Sequence, residues 1–335
     1  MRRKYIDVAS VVSCIGVVAL HCNGIFWERP QGFVWWSANA IECVFYFAAP
    51  VFFMISGATL MEYRNRYDTL SFLKRRFLRV VIPFVFWSCV AYLIAILRDG
   101  FSLLSLVRLP HDIIACRYMK IFWFFIPLIL WYLSVPVFSL LVGRRRLLEY
   151  LIVLGLVINC CYPFVYNLMS FAPNGGLVVY PVGGCMILML IGYYFDTYDL
   201  SWVTRRLLYI AGFLSLLVHY FGTNYLSGDS VSTMLKGYTT PISIAYSSAV
   251  FVLFKRIENT STPSWLWRVV DNLRGEAFGV YLLHGFIVYN VFPLFIDDSI
   301  SAALSYRVVA TMFVVLCCSC ISKLLRRIRY ISWVI

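Results

Sequence analysis

Two titratable groups stand on the first apolar stretch of the 335-residue chain, Asp7 near its start and His21 near its end. Fourteen positions separate them, just under four helical turns, so on a helix they share nearly one face about 21 Å apart. Imidazole takes up and releases protons near neutrality, which makes His21 a candidate general base. Glu42 stands at a similar distance from the same end of the next apolar run. Two helices joined by a short loop run antiparallel, which puts His21 and Glu42 at similar depth. A carboxylate beside an imidazole orients the ring and stabilises its protonated form. His21 with Glu42 is therefore the expected catalytic pair. The bland alternative has Glu42 satisfied in the interior and His21 bonded to a neighbouring helix.

Tyr281 and His284, in Phe278-Gly-Val-Tyr-Leu-Leu-His-Gly, are three apart and share a helical face. They suit donor binding or proton handling, or else a plain interhelical hydrogen bond. His111 and His219 fall in or beside loops and read as solvated. Lys74, Arg75, Arg76 and Arg79 form the densest basic cluster. Guanidinium groups match phosphate oxygens through paired hydrogen bonds, although positive loop charge or anionic lipid contact accounts for such clusters too. Asn23 and Trp123, level with His21, are candidates to touch a substrate. Trp123 could stack on a ring or belong to an aromatic belt. The eleven cysteines mostly lie inside apolar runs without the spacing of zinc ligands, so they read as packing residues and no metal is expected.

These residues need elements to hold them, and composition says which. Apolar residues make up 61% of the chain and charged ones 13%, outside the range of soluble domains. The expected fold is all-α, a single polytopic membrane domain over 1–335 with about ten spans. They cover approximately 5–25, 38–61, 80–98, 121–142, 149–169, 178–195, 203–221, 238–254, 277–296 and 303–322. The sixth and eighth are weakest, interrupted by Pro181, Gly183, Gly184 and Pro241. Met1-Arg2-Arg3-Lys4 ahead of an apolar run resembles a signal peptide, but no small-residue cleavage site follows, so the segment is expected to be retained.

A net charge of +13 would suggest nucleic acid in a soluble chain. Here the bases gather in alternate short loops, which instead sets orientation. Only Arg29, Arg98, Arg108, Arg117, Lys120, Lys236 and Arg307 fall on the opposite side from Arg2, Arg3 and Lys4. Both termini are therefore expected in the cytoplasm. Trp27, Trp35, Trp36 and Trp123 would mark the outer boundary and Trp202, Trp265 and Trp333 the inner one. Residues 62–79 read as a helix lying in the inner interface, and 99–120 as an amphipathic lid on the outer face.

Taken in order, these stretches resemble the type-three membrane acyltransferase family. The resemblance rests on Tyr5-Ile-Asp7 with His21, Pro50-Val-Phe-Phe-Met-Ile-Ser56-Gly57 and Phe72-Leu-Lys-Arg75-Arg76-Phe-Leu-Arg79-Val-Val-Ile-Pro83. It continues with Trp123-Phe, Pro127-Leu, Trp131-Tyr-Leu, Pro136 and Gly279-Val-Tyr281-Leu-Leu-His284. It implies transfer of an acyl group, commonly acetyl from cytoplasmic acetyl-CoA, to a hydroxyl of a lipid-linked or polymeric surface glycan such as O-antigen. It places the protein among membrane lipids in a bacterial inner membrane. Arg75, Arg76, Arg79, Tyr281, His284 and Asp7 would then serve the donor, and Trp123 and Asn23 the acceptor. One departure is visible: the family's arginine three residues after the aspartate is Ser10 here. Two other readings stand beside this one, a flippase for a lipid-linked glycan and a catalytically silent scaffold in glycan assembly.

Overall fold

A computed structural model describes residues 3–257, 263–329 and 331–335, and every regular element in them is a helix. Met1 and Arg2, part of the N-terminal basic group, lie outside the described residues. The chain begins with α1 (Lys4–Cys22), α2 (Gly32–Phe45) and α3 (Ala48–Leu60). Next come α4 (Thr69–Arg76) and α5 (Ile82–Asp99), joined by a π-turn at Phe77–Val81, then α6 (Leu103–Ile114) and α7 (Phe125–Phe138). A second π-turn, Leu156–Cys161, joins α8 (Arg145–Gly155) to α9 (Tyr162–Leu168). After α10 (Met186–Thr197), α11 (Trp202–Leu226), α12 (Pro241–Ile257) and α13 (Ser264–Arg274) comes α14 (Ala277–Phe286), extended by a third π-turn, Ile287–Val291. The short α15 (Asp298–Ser301) precedes α16 (Leu304–Arg327).

Eight segments among the described residues are long and apolar enough to cross a membrane. A bilayer offers no partner for a bare backbone, and helices satisfy theirs internally. The chain is an all-α, multi-pass membrane protein. The sixth and eighth expected spans fall on α10, with 12 residues, and α12, with 17 described residues. At 1.5 Å per residue α10 reaches about 18 Å, short of a hydrocarbon core of about 30 Å.

Burial, rather than length, distinguishes α10. Residues Ile187, Leu188, Met189, Leu190, Ile191 and Tyr193 are all buried. Its partner is α3, and two glycines make the approach close. A Cβ on Gly57 would stand 1.7 Å from the Met189 carbonyl oxygen, and one on Gly192 2.1 Å from that of Met54. Between membrane helices such small residues let backbones touch and dispersion act.

Helix α1 runs through the middle of the bundle, packed against α2, α3, α12, α13, α14 and α16. Two polar locks set its register. At its start, Arg3 bonds the Asp196 carboxylate and, at 3.0 Å, the Ala58 carbonyl, while the Tyr5 hydroxyl donates to Asp196. The Lys255 ammonium donates to the Phe195 and Asp196 carbonyls at 2.9 and 3.0 Å, which ties α12 to the same point. At the other end Arg307, 1% exposed, donates to Asn23 Oδ1 at 3.0 Å and Ser37 Oγ at 2.7 Å.

Two surface expectations change. Over 62–79 the helix starts only at Thr69, where Asp68 caps it by accepting from the Ser71 amide at 2.9 Å, and it runs into α5 through the π-turn. Trp35, expected in an outer belt, is buried instead. It stacks on Phe26 with ring centroids 5.4 Å apart and donates from Nε1 to Asn224 at 2.8 Å.

Candidate active site

His21 sits on the last turn of α1, half-buried, and lines a cavity of about 110 Å³. Val17, Leu20, Trp27, Glu42, Phe52, Trp123, Tyr238 and Tyr281 are among the other walls. Glu42 and His21 thus share one chamber, as depth alone implies. They do not form the expected hydrogen bond. His21 Nδ1 is 2.7 Å from the hydroxyl of Tyr289. Glu42 is buried with its Oε1 3.9 Å from Lys236 Nζ. Equal depth on antiparallel helices does not set rotation, and rotation decides which side chains meet.

Tyr289 gave no signal in the sequence. It lies five positions after His284, about 140° around a plain α-helix, which would point the two away from each other. The π-turn at Ile287–Val291 changes that phase, and both reach His21. Single π-turns of this kind are frequent at functional sites.

His284 is fully buried, its ring centroid 5.2 Å from that of His21. Its Nδ1 donates to the Val280 carbonyl at 3.0 Å. A carbonyl only accepts, so the proton is on Nδ1 and Nε2 carries a lone pair. Nε2 has no hydrogen-bond partner among the described residues. The Tyr281 hydroxyl donates to the Ile121 carbonyl, which spends it on pinning α14 to the start of α7.

Other candidates divide. Trp123 lines the cavity, with one face stacked on Tyr238. Asn23, expected to meet substrate, is fully buried, and its amide is consumed by the Ala38 carbonyl and Arg307. It serves as a clamp and does not line the cavity. His219, read as solvated, is buried with its ring centroid 4.7 Å from that of Tyr46, while His111 is exposed. No residue of helix α6 lines the His21 cavity. It packs across an apolar groove with α5 and α7.

In the sequence Lys236 reads only as a loop charge. Its side chain is 3% exposed, over Phe26 and Tyr46, with Nζ making no hydrogen bond among the described residues. Burial pulls its ammonium below the usual lysine range, and the Glu42 charge opposes that pull.

At the far end of the bundle, Arg75 stacks over Tyr67 at 4.4 Å, and Arg76 lies over Phe72 and Tyr132 at 5.6 and 5.8 Å. Arg75 and Arg79 are exposed, and among the described residues no carboxylate bridges any of the three. Neighbouring bases at that end are neutralised: Arg3 by Asp196, Lys255 by Asp199, Arg326 by Glu276. None of the three arginines lines the His21 cavity, whose walls include Val17, Phe52 and Tyr281.

Residues 3–323, nearly the whole chain, match the family model Acyl_transf_3, described as an acyltransferase domain. The chain belongs to the type-three acyltransferase family. No curated protein and no solved structure matches it. In this acyltransferase Ser10 follows Asp7 by three residues, and the guanidinium of Arg274 on α13 lies 3.9 Å from the Asp7 carboxylate. A cation thus stands beside Asp7, supplied from another helix.

Proposed function

We propose that this acyltransferase moves an acetyl group from acetyl-CoA, bound at the arginine end, to a hydroxyl of a surface polysaccharide at the His21 end. The protein would work in a bacterial inner membrane, with both termini and the arginine end facing the cytoplasm. One observation carries the reading: an imidazole with a hydroxyl partner opens into a cavity at the end of the bundle opposite an arginine cluster that no carboxylate bridges among the described residues. CoA phosphates cannot enter hydrocarbon cheaply, so they stay with Arg75, Arg76 and Arg79 while the flexible arm carries the thioester along α1. Asp7 and Arg274 lie at the start of that path. An amide N–H of the arm would satisfy the lone pair of His284 Nε2.

With the His21 Nδ1 proton donated to the Tyr289 oxygen, Nε2 is free to accept. The acceptor O–H gives its proton to Nε2 as its oxygen attacks the thioester carbonyl. The C–S bond breaks, and the CoA thiolate leaves with the proton returned by the imidazolium. Glu42, in the same chamber, stabilises that imidazolium through space, in place of the direct hydrogen bond expected from its depth.

The test is release of CoA thiol by the purified protein given acetyl-CoA and polysaccharide from cells that lack the protein. The reading expects thiol release that depends on polysaccharide and base-labile acetate on the glycan. Neither product at saturating donor would refute it.

A further inference from the structure

The segment 236–240 divides two spaces. Tyr238 faces the His21 cavity, where its ring stacks on Trp123 with centroids 5.3 Å apart and planes at 7°. Its neighbours Lys236, Thr239 and Thr240 line a separate cleft of about 720 Å³, with Phe164, Asn167 and Thr233 among its other walls. That volume lies within the ~300–1,000 Å³ range of ligand pockets, and the His21 cavity lies below it. The small cavity can admit a reacting hydroxyl; the cleft can hold the molecule that carries it.

The chemistry of the cleft narrows the ligand. Its walls combine hydroxyls and amides with an aromatic ring, and among the described residues Lys236 is the one charged side chain that lines it. The Lys236 ammonium is buried with three donors, and beyond its 3.9 Å approach to Glu42 it makes no hydrogen bond among the described residues. A buried donor without a hydrogen bond is a feature that needs a cause. Resting on the acyltransfer reading of the His21 site, we propose that this cleft binds the acceptor. The ligand class is a short run of hydroxyl-rich sugar rings, neutral or anionic, and segment 236–240 passes one hydroxyl to His21. Lys236 couples the two spaces, since it lines the cleft and stands 3.9 Å from the Glu42 carboxylate in the cavity.

The test fills the cleft at two exposed positions, Asn167→Trp with Thr233→Trp, in the full chain expressed in cells that lack the native protein. The readouts are base-released acetate from the cells' own surface polysaccharide and acetyl-CoA binding to the purified protein. A tenfold or greater fall in acetate with unchanged donor binding is expected. Wild-type acetate from the double variant would overturn the cleft alone, whereas no acetate from the wild-type chain would defeat the acyltransfer reading itself. A second measurement guards against misfolding. In Thr233→Cys, labelling by an impermeant maleimide, read at that residue by mass spectrometry, should slow severalfold when unacetylated polysaccharide is added. Unchanged labelling would also overturn the proposal.

Discussion

His21 and His284 stand with ring centroids 5.2 Å apart, and each directs its Nδ1 elsewhere, to the Tyr289 hydroxyl and to the Val280 carbonyl. Two imidazoles from α1 and α14 therefore meet with both orientations set by other groups. A histidine fixed through one nitrogen presents the other for chemistry.

Tyr289→Phe removes the hydroxyl that orients His21 and keeps the ring that packs beside it. A hydrogen bond contributes a net ~0.5–1.5 kcal/mol, so kcat should fall roughly two- to tenfold with the donor KM unchanged. Steady-state transfer measured against acetyl-CoA concentration checks this split. An unaltered kcat would leave Tyr289 without a role.

Charge reversal at Arg75 and Arg76 should weaken the donor and spare the acceptor. Losing one charge-assisted hydrogen bond costs about 1.5–3 kcal/mol, so acetyl-CoA affinity should drop by more than tenfold. Competition between CoA and labelled acetyl-CoA measures it, and equal affinities in variant and wild type would remove the arginines from the donor site.

Gly57→Ala places a methyl where the Met189 carbonyl oxygen stands 1.7 Å away. Overpacking of this kind costs about 1–3 kcal/mol, and here backbone must move. The melting temperature in detergent should fall by several degrees. Gly24→Ala, where nothing lies within 4 Å of the added methyl, should not shift it.

Asp112 anchors α6. Burial alone would push its carboxyl up, but hydrogen bonds from His111 and Tyr118 and the charge of Arg117 outweigh burial and hold it below the usual range. A depressed folded value means the stabilisation is present above the unfolded pKa of about 3.9 and is lost as pH falls through the folded value. Hydrogen exchange over 103–118 should stay slow at pH 5 and accelerate below the ordinary carboxylate range. Asp112→Asn should be fast throughout.

Much of this fold was legible because a membrane span is a local signal: length and apolarity suffice. The chemistry was legible only one residue at a time. His21, Glu42, Trp123 and Tyr281 do share a chamber, and among the described residues no carboxylate bridges Arg75, Arg76 or Arg79. Partners were not legible, since they depend on helix rotation and on loops returning from far along the chain. Tyr289 reaches His21 through a π-turn that no hydropathy pattern marks. Lys236 looked like any loop cation until 231–240 folded it over Phe26 and Tyr46. Asn23 looked available because its clamp, Arg307, is 284 positions away. The tight seat of α10 was hidden for a related reason: its burial against α3 depends on two glycines in different segments.

The most direct measurement is transfer of labelled acetyl from acetyl-CoA to polysaccharide by His21→Ala beside the wild type, with acetyl-CoA binding measured on both. Removing a general base costs roughly 10²–10⁴-fold. The account predicts a fall of that size with donor binding intact. Near-normal transfer by His21→Ala would contradict it.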